Sequence, residues 1–416
     1  MSNLNKKSSV YVYILAGGLG TRLAHVVSNV PKPMANVSGK PLLEWQVKWL
    51  KRQGFKNIVM LVGHKKDSIV NYFGNGSKYN VNIKYSIEED LLGTGGAFLN
   101  ALSQYYSEYF IIINGDSFFD INLKWLFNYY KMNNNEGVII ALKLMDDLSR
   151  YGSVSINEEY LIKYFKEKDV LNDEGFINGG IYIGKTSIFN RYKINKLSME
   201  NDIFPTLLNQ NKLYGIPFGD KFIDIGVPDD YYKANIMLSK WFNNKKDDVV
   251  FFDRDGIIIE DNKYVSDINS IVFKKEAIKL IRRINEIGKK VIVLTNQAGV
   301  AKGYYTEDNI HYVNDYISMK YQESGALIDA FYSCPFHKDA VVKKYKKSSL
   351  YRKPEPGMLL QAVDDFQLNS INAVMIGDKD SDIIKLPYIN TYLIKDTYDI
   401  QQKQKLSTWE NLMKIN

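Results

Sequence analysis

YILAGGLGTRL, Tyr13–Leu23, is a short apolar strand that runs straight into glycines and then an arginine. Gly17, Gly18 and Gly20 let backbone N–H groups come close to an anion, and Arg22 adds a permanent positive charge where they point. The stretch reads as a phosphate cradle at the end of a strand. It is not a Walker A loop, because no Gly-Lys-Ser/Thr closes it. Nor is it a dinucleotide fingerprint, because Leu23 stands where the third glycine belongs. On spacing alone, a plain turn explains the glycines as well.

Working outward, VPKPMANVSGKPLLEW, Val30–Trp45, sets prolines on both sides of Lys32. They stiffen the backbone so that the ammonium is presented in a fixed place, and Gly39, Lys40 and Pro41 turn the chain into a helix. Lys32 is a candidate second cationic clamp, with a solvated surface turn as the alternative. LAGGLGTRL, PKPM and GKPLLE in this order resemble the signature of the sugar-phosphate nucleotidylyltransferases, over about Tyr11 to Trp241. The resemblance implies nucleotide contacts at Leu15, Ala16, Gly17, Gly18, Gly20, Thr21, Arg22 and Lys32. It also implies that Arg22 and Lys32 stabilise a pyrophosphate leaving group.

With 416 residues, the chain is long enough for two or three domains with cores of their own. Hydrophobic residues at 45% and charged residues at 24% are those of a globular protein, which sets disorder aside. The single cysteine, Cys334, excludes an internal disulfide framework and suits a reducing cytoplasm. No apolar run approaches the ~20 residues of a membrane span. Val10–Leu15 is too short, and wrongly flanked, for a signal peptide. A net charge of +7 is explained by solubility alone. KKYKK, Lys343–Lys347, has no recognition motif beside it and reads as a solvated loop, so neither nucleic acid nor a membrane is expected as a partner.

From Val10 to about Val138, strands alternate with helical patterns: VYVYIL, the helix from Pro41, NIVMLV, NIKYSI and YFIIING. Such alternation indicates a mostly parallel sheet with helices on both faces and ligands at the carboxyl ends of the strands. Asp116, in INGDSFFD, leaves a buried strand at that edge, where a carboxylate needs a partner that Mg²⁺ supplies well. An Asx turn is the alternative. By resemblance, Asp116 is the first metal aspartate, also reached by the nucleotide, and Asp224 in FIDIGVPDDY is the second. LGTGGA, Leu92–Ala97, offers a flat backbone to a base, although a tight helix N-terminus explains the same residues. By resemblance it reads the nucleobase through Gly93, Thr94 and Gly95, with Glu89 and Asp90 just before it.

About Val138 to Tyr182 is richer in strand patterns, and by resemblance forms the sugar-binding half. There, Gly152, Glu167, Lys168, Asn178 and Gly179 match sugar and sugar-phosphate contacts. In SMENDIFPTLL, Glu200 and Asp202 are candidate hydroxyl acceptors. The helix DDYYKANIMLSKWF closes this first domain, residues 1–242. NNKKDD, Asn243–Asp248, is polar and lacks apolar periodicity, so it reads as a linker.

The second domain, 249–416, opens with DVVFFDRDGIIIED. Asp253 and Asp255, two apart after a strand, project from one side if the extended backbone continues, and so close together they need a cation or a shared proton. Three more pieces follow at strand ends: Thr295 in VIVLTNQAGVAKGYYT, Lys353 in LYRKPEPGM, and Asp378 with Asp382 in AVMIGDKDSDI. Together they resemble a haloacid-dehalogenase-type phosphatase, and more narrowly its histidinol-phosphate and heptose-bisphosphate branch. The resemblance implies Asp253 as nucleophile, Asp255 as proton donor and acceptor, and Lys353 and Thr295 on the phosphoryl oxygens. It implies Mg²⁺ at Asp253, Asp255 and Asp378, and sugar-phosphate contacts at Asn296, Arg352, Lys353 and Lys379. Close relatives carry a zinc loop of three cysteines and a histidine. Here only Cys334 and His337 remain, with Ser349 and Tyr351 at expected cysteine positions, so no structural zinc is expected. The loop Lys338–Ser348 is then expected to be loose, and Ile257 replaces a threonine common after DRDG.

The fold class expected is α/β, two Rossmann-like domains: an N-terminal mixed sheet of the nucleotidyltransferase kind and a C-terminal parallel sheet of the haloacid-dehalogenase kind. The pairing resembles consecutive steps toward a GDP-activated heptose, with GTP and heptose phosphates as partners, Mg²⁺ in both domains, a cytoplasmic location and room for a homo-oligomer. Two rivals are a mannose-1-phosphate guanylyltransferase fused to a phosphatase of different substrate, and a nucleotide-sugar sensor without turnover. The sensor should have lost its acids, yet Asp116, Asp224, Asp253, Asp255 and Asp378 are all present.

Overall fold

A computed structural model describes residues 10–18, 30–133, 136–148, 151–166, 174–262, 264–265, 267–395 and 400–414. The chain divides into two compact units, Met1–Asn244 and Lys245–Asn416. Among the described residues no helix is long and apolar enough to cross a membrane.

The first unit is built on strand β1 (Tyr11–Leu15), whose Val12, Tyr13 and Ile14 are fully buried. A strand apolar on both faces belongs in the middle of a covered sheet, where each such side chain contributes about 1.5–3 kcal/mol. Parallel to it run β2 (Asn57–Val62) on one side and β4 (Tyr109–Asn114) on the other, with β3 (Asn82–Ile87) outside β2. The chain thus builds outward through β2 and β3, then returns across β1 to β4. The strand order reverses between β1 and β4, and such a point opens a crevice at the carboxyl ends. Leu15 pairs with Asn114 there, so the glycine loop and Asp116 leave the sheet side by side.

A short ribbon completes the crevice. Strand β5 (Ser117–Phe119) pairs with β11 (Phe222–Asp224), opposing Ser117 to Asp224. Beyond β4 the sheet turns antiparallel through β9 (Gly175–Lys185). It continues to β6 (Val138–Met145), β7 (Ser153–Ile156) and β8 (Ile162–Lys166), with β10 (Leu213–Phe218) parallel to β6. This is a nine-stranded mixed sheet.

The second unit repeats the logic with a six-stranded, wholly parallel sheet. Its central strand β12 (Asp247–Phe252) is followed outward by β13 (Lys290–Asn296) and β14 (Ala330–Cys334). The chain then crosses to β15 (Leu368–Gly377), β16 (Asn390–Ile394) and β17 (Leu406–Ser407) on the other side. The order reverses between β12 and β15, where Phe252 pairs with Ile376, so Asp253 and Asp378 emerge next to each other. Ile257 is fully buried in the apolar core, which explains why a hydroxyl is not required there.

Candidate active sites

In the first unit, Pro31 is extended and a tight turn over Lys32–Met34 closes on it, Met34 N–H donating to the Pro31 carbonyl at 2.8 Å. This turn holds Lys32 over the crevice. Its Nζ lies 2.6 Å from Asp116 Oδ2 and 3.6 Å from Asp224 Oδ1. Two aspartates 108 positions apart meet because the β5–β11 ribbon brings them together, Ile225 N–H donating to the Asp116 carbonyl at 3.1 Å. Two half-exposed carboxylates converging on one ammonium leave a negative balance. That oxygen donor set is what Mg²⁺ takes when substrate phosphates complete its shell, so the residues fit the ion.

Lys32 and Asp116 line a cavity of about 330 Å³ that also reaches Leu15, Gly17, Gly18 and Gly93. A Cβ on Gly17 would stand 3.1 Å from Glu88 Oε1, so the loop passes close to that carboxylate. Glu88, rather than the exposed Glu89 and Asp90, is the acid that lines the cavity. Burial pushes its carboxyl above the usual range, against the Leu92 N–H that donates to Oε2 at 3.0 Å. Parity, which puts Glu88 on the face of buried Ser86, separates it from Glu89 but not from Asp90, so spacing alone does not single it out.

Thr94 and Ala97 also line the cavity, but the glycines of LGTGGA have a second cause. The backbone of residues 195–197 crosses the helix start, and Gly95 and Gly96 N–H both donate to the Leu197 carbonyl, at 2.9 and 3.1 Å. A Cβ on Gly96 would lie 2.1 Å from the Asn195 carbonyl oxygen, and Gly93 sits at φ +72° against Leu197. The segment thus lines the cavity, and its small residues admit a crossing chain.

On the sugar side, Glu200 faces the cavity and accepts from Thr94 Oγ1 and Ser198 Oγ, each at 3.0 Å. Asp202 instead closes its own turn, its Oδ2 accepting from Ser198 N–H at 2.7 Å. Asn178 is engaged internally, donating to the Tyr182 hydroxyl at 3.0 Å and accepting from Gly180 N–H at 2.9 Å. Gly179 is small because Phe119 packs on it, within 2.6 Å of where a Cβ would be. Gly152 is exposed just before β7. Ala16 ties the loop to β2, its N–H donating to the Leu61 carbonyl at 2.9 Å. Gly20, Thr21, Arg22, Glu167 and Lys168 lie outside the described residues.

The second unit gathers a denser cluster. Lys353 Nζ lies 2.7 Å from both Asp253 Oδ1 and Asp382 Oδ1, with all three side chains at most 6% exposed. Oxygens of Asp253, Asp378 and Asp382 fall within 4.8 Å of one another. Gly256, at φ +97°, lets Asp378 in, since a Cβ there would be 2.1 Å from Asp378 Oδ2. Both buried oxygens of Asp378 lack a hydrogen-bond partner, Lys379 Nζ standing 3.8 Å from one of them. Burial and the neighbouring Asp253 push the Asp378 carboxyl up to about 8. Burial, then the charge of Asp382, raises that of Asp253. Burial disfavours the Lys353 ammonium, but Asp253 and Asp382 outweigh it and hold it protonated. Orphaned oxygens in a buried, acid-rich pocket are what a divalent cation relieves, so these residues fit Mg²⁺.

The carboxylate of Asp255 is turned away from this cluster. Arg254, 1% exposed, donates to its Oδ1 at 3.0 Å, and Gln297 Nε2 donates to its Oδ2 at 2.9 Å. The expected metal role of its side chain is therefore corrected: Asp382 stands in the cluster and Asp255 beside it. Thr295 Oγ1 accepts from Gln297 at 2.7 Å and reaches Asp255 Oδ2 at 3.4 Å. Asn296, expected on the phosphate, has both amide atoms on the Lys353 backbone at 3.0 Å and so positions that lysine. Arg352 donates to the Phe336 carbonyl at 3.2 Å, and Lys379 pairs with Asp261 at 3.0 Å. Cys334 is buried, and His337 Nδ1 accepts from Asp339 N–H at 3.1 Å. The loop expected to be loose is fastened: Val341 and Val342 N–H donate to the Ala301 carbonyl, and Tyr345 donates to Glu307 at 2.5 Å.

Comparison with known proteins agrees with this division. The nucleotidyl transferase family model matches residues 11–240, and an HAD-hydrolase-like model matches residues 350–384. The D-glycero-α-D-manno-heptose 1-phosphate guanylyltransferase of Campylobacter jejuni is 43% identical over 223 residues, 53% of this chain and 96% of that protein. The D-glycero-α-D-manno-heptose-1,7-bisphosphate 7-phosphatase of Burkholderia mallei is 41% identical over 138 residues, 33% of this chain and 73% of that one. The crystal structure of HddC from Yersinia pseudotuberculosis is 35% identical, with a TM-score of 0.50, covering 55% of this chain and 99% of that one.

Proposed function

We propose a two-step function from one premise: the chain belongs to the nucleotidyl transferase family in its first unit and carries a phosphatase of the heptose-bisphosphate kind in its second. The second unit removes the 7-phosphate of D-glycero-D-manno-heptose 1,7-bisphosphate. The first transfers GMP from GTP to the resulting heptose 1-phosphate, giving GDP-heptose and pyrophosphate. The observation that carries this reading is the joining of the two relatives in one chain, because the sugar phosphate left by one reaction is the acceptor of the other. The setting is cytoplasmic, where GTP is at hand.

In the phosphatase unit, Asp253 attacks phosphorus to form an aspartyl phosphate while Lys353 offsets charge on the phosphoryl oxygens and Thr295 donates to one of them. Asp255 gives a proton to the departing sugar oxygen, a poor leaving group as an alkoxide, and then takes one from the water that cleaves the aspartyl phosphate. In the transferase unit no protein nucleophile is needed. A sugar 1-phosphate, with a second pKa near ~6, is already largely dianionic and attacks the α-phosphorus in line. Lys32, which spans Asp116 and Asp224 at the crevice, turns to the phosphates when they bind. Arg22 shares the charge of the departing pyrophosphate. Asp116 and Asp224 in one unit, and Asp253 and Asp378 in the other, would hold Mg²⁺, which would neutralise charge on the phosphoryl oxygens.

Glu88 selects the base. Two carboxylate oxygens match the adjacent N1–H and N2–H donors of guanine, whereas uracil and thymine offer one N–H between carbonyls. Incubating the purified chain with the heptose bisphosphate and each nucleoside triphosphate, with mass spectrometry of the products, tests the proposal. GDP-heptose with release of inorganic phosphate is expected; a UDP or dTDP sugar, or no phosphate release, contradicts it.

A further inference from the structure

Asp255 is held on two sides. One holder, Arg254, is its neighbour in sequence, but the other, Gln297, is itself oriented by a residue that the mechanism above does not use. The hydroxyl of Tyr305 donates to Gln297 Oε1 at 2.7 Å, which leaves Nε2 to face Asp255 Oδ2 at 2.9 Å and Thr295 Oγ1 at 2.7 Å. Gln297 is 2% exposed, so its amide has no water with which to exchange partners. A flipped amide would set its carbonyl oxygen against the Asp255 carboxylate and take away the acceptor of the Tyr305 O–H, an arrangement that leaves buried polar groups unmatched. The Tyr305 phenol is pushed up to about 12, first by burial, and so remains a donor across the working range. Its place is also defended sterically. A Cβ on Gly299 would lie 2.2–2.5 Å from three atoms of the Tyr305 ring and hydroxyl, so the glycine admits the phenol.

We propose that Tyr305, acting through the amide of Gln297, is a positioning residue that holds Asp255 in the orientation from which it protonates the leaving sugar oxygen. The inference rests on the phosphatase reading of the second unit. It gives the otherwise unassigned GYYT segment a task specific to esters of poor leaving groups. A phosphate ester of an alcohol needs that proton as its P–O bond breaks, whereas p-nitrophenyl phosphate releases a stable phenolate without it.

The test is Tyr305→Phe in the full chain, comparing kcat/KM on an alkyl phosphate, the heptose bisphosphate or glycerol phosphate, with kcat/KM on p-nitrophenyl phosphate. This ratio covers steps only through departure of the leaving group, before Asp255 acts on water. We expect a fall of about tenfold or more on the alkyl phosphate and less than about twofold on p-nitrophenyl phosphate, a fraction of what a general acid supplies. Gly299→Ala, which displaces the ring without removing the hydroxyl, should show the same selectivity. Equal losses on both esters would mark Tyr305 as merely structural, and no loss on either would mark it as idle. Either result overturns the inference while the phosphatase reading stands. A wild-type chain inactive on every ester overturns both.

Discussion

The two acid clusters stand at equivalent places, the reversal points of two sheets, yet they are built for different charge states. In the first unit, Asp116 and Asp224 are 40% and 31% exposed and share one lysine. In the second, Asp253, Asp378 and Asp382 are almost fully buried, and Asp378 has no hydrogen bond to either oxygen. An exposed pair can wait for a cation that arrives with its nucleotide, because water and Lys32 satisfy it meanwhile. A buried cluster cannot wait in the same way, since each unmatched carboxylate costs several kcal/mol unless it is protonated or cation-bound. The difference follows the chemistry proposed for each: a covalent step needs a nucleophile fixed in a dry pocket, whereas in-line transfer between two bound phosphates needs an open crevice.

The sharpest way to break this comparison is to remove one acid from each cluster. Asp253→Asn should lower phosphate release from the heptose bisphosphate by at least about a thousandfold while pyrophosphate release from GTP and supplied heptose 1-phosphate is unchanged, and Asp116→Asn should do the reverse. Parallel assays of the two products decide it, and loss of both activities in either variant would mean that the clusters are not separate catalysts. A second contrast concerns the metal. Titration with Mn²⁺, followed by calorimetry, should show a site in the nucleotide-free protein that Asp378→Asn removes and Asp116→Asn leaves. A second site should appear only when GTP is added.

How much of this was legible in the sequence follows from how local each feature is. The glycine loop, Lys32 between its prolines, Asp253 after an apolar strand and Asp378 after another are all set by neighbours a few residues away, so strand pattern and turn chemistry locate them. Asp382 is visible four residues after Asp378, but its place in the cluster depends on the turn that aims it at Lys353. Asn296 and Gln297 stand in one motif and face different ways, one to the Lys353 backbone and one to Asp255, which spacing does not distinguish. Glu88 was hidden among three acids for the same reason. Asn178, Gly179 and Asp202 match a family pattern, and what surrounds them here is local: hydrogen bonds within their own turns for Asn178 and Asp202, and the Phe119 ring against Gly179.

Glu88 offers a smaller effect that sharpens the contrast in base reading. Glu88→Gln should weaken discrimination for GTP over other triphosphates by about 1–3 kcal/mol, the worth of a two-point base contact. Because burial raises the Glu88 carboxyl, the KM for GTP should climb as pH falls through a value above the ordinary carboxylate range, and the variant should lose that limb. The smallest effect concerns packing alone: Gly256→Ala, forced to φ +97° against Asp378, should destabilise the second unit by about 1–3 kcal/mol in denaturant unfolding and leave nucleotidyl transfer intact.

The most direct measurement of the central claim is the order in which phosphorus species appear when the full chain meets heptose bisphosphate, GTP and Mg²⁺ in one tube, followed by ³¹P NMR. Inorganic phosphate should rise first, with heptose 1-phosphate, and pyrophosphate and the GDP sugar should follow at its expense. Pyrophosphate formed ahead of phosphate, with a nucleotide sugar still carrying its distal phosphate, would contradict it.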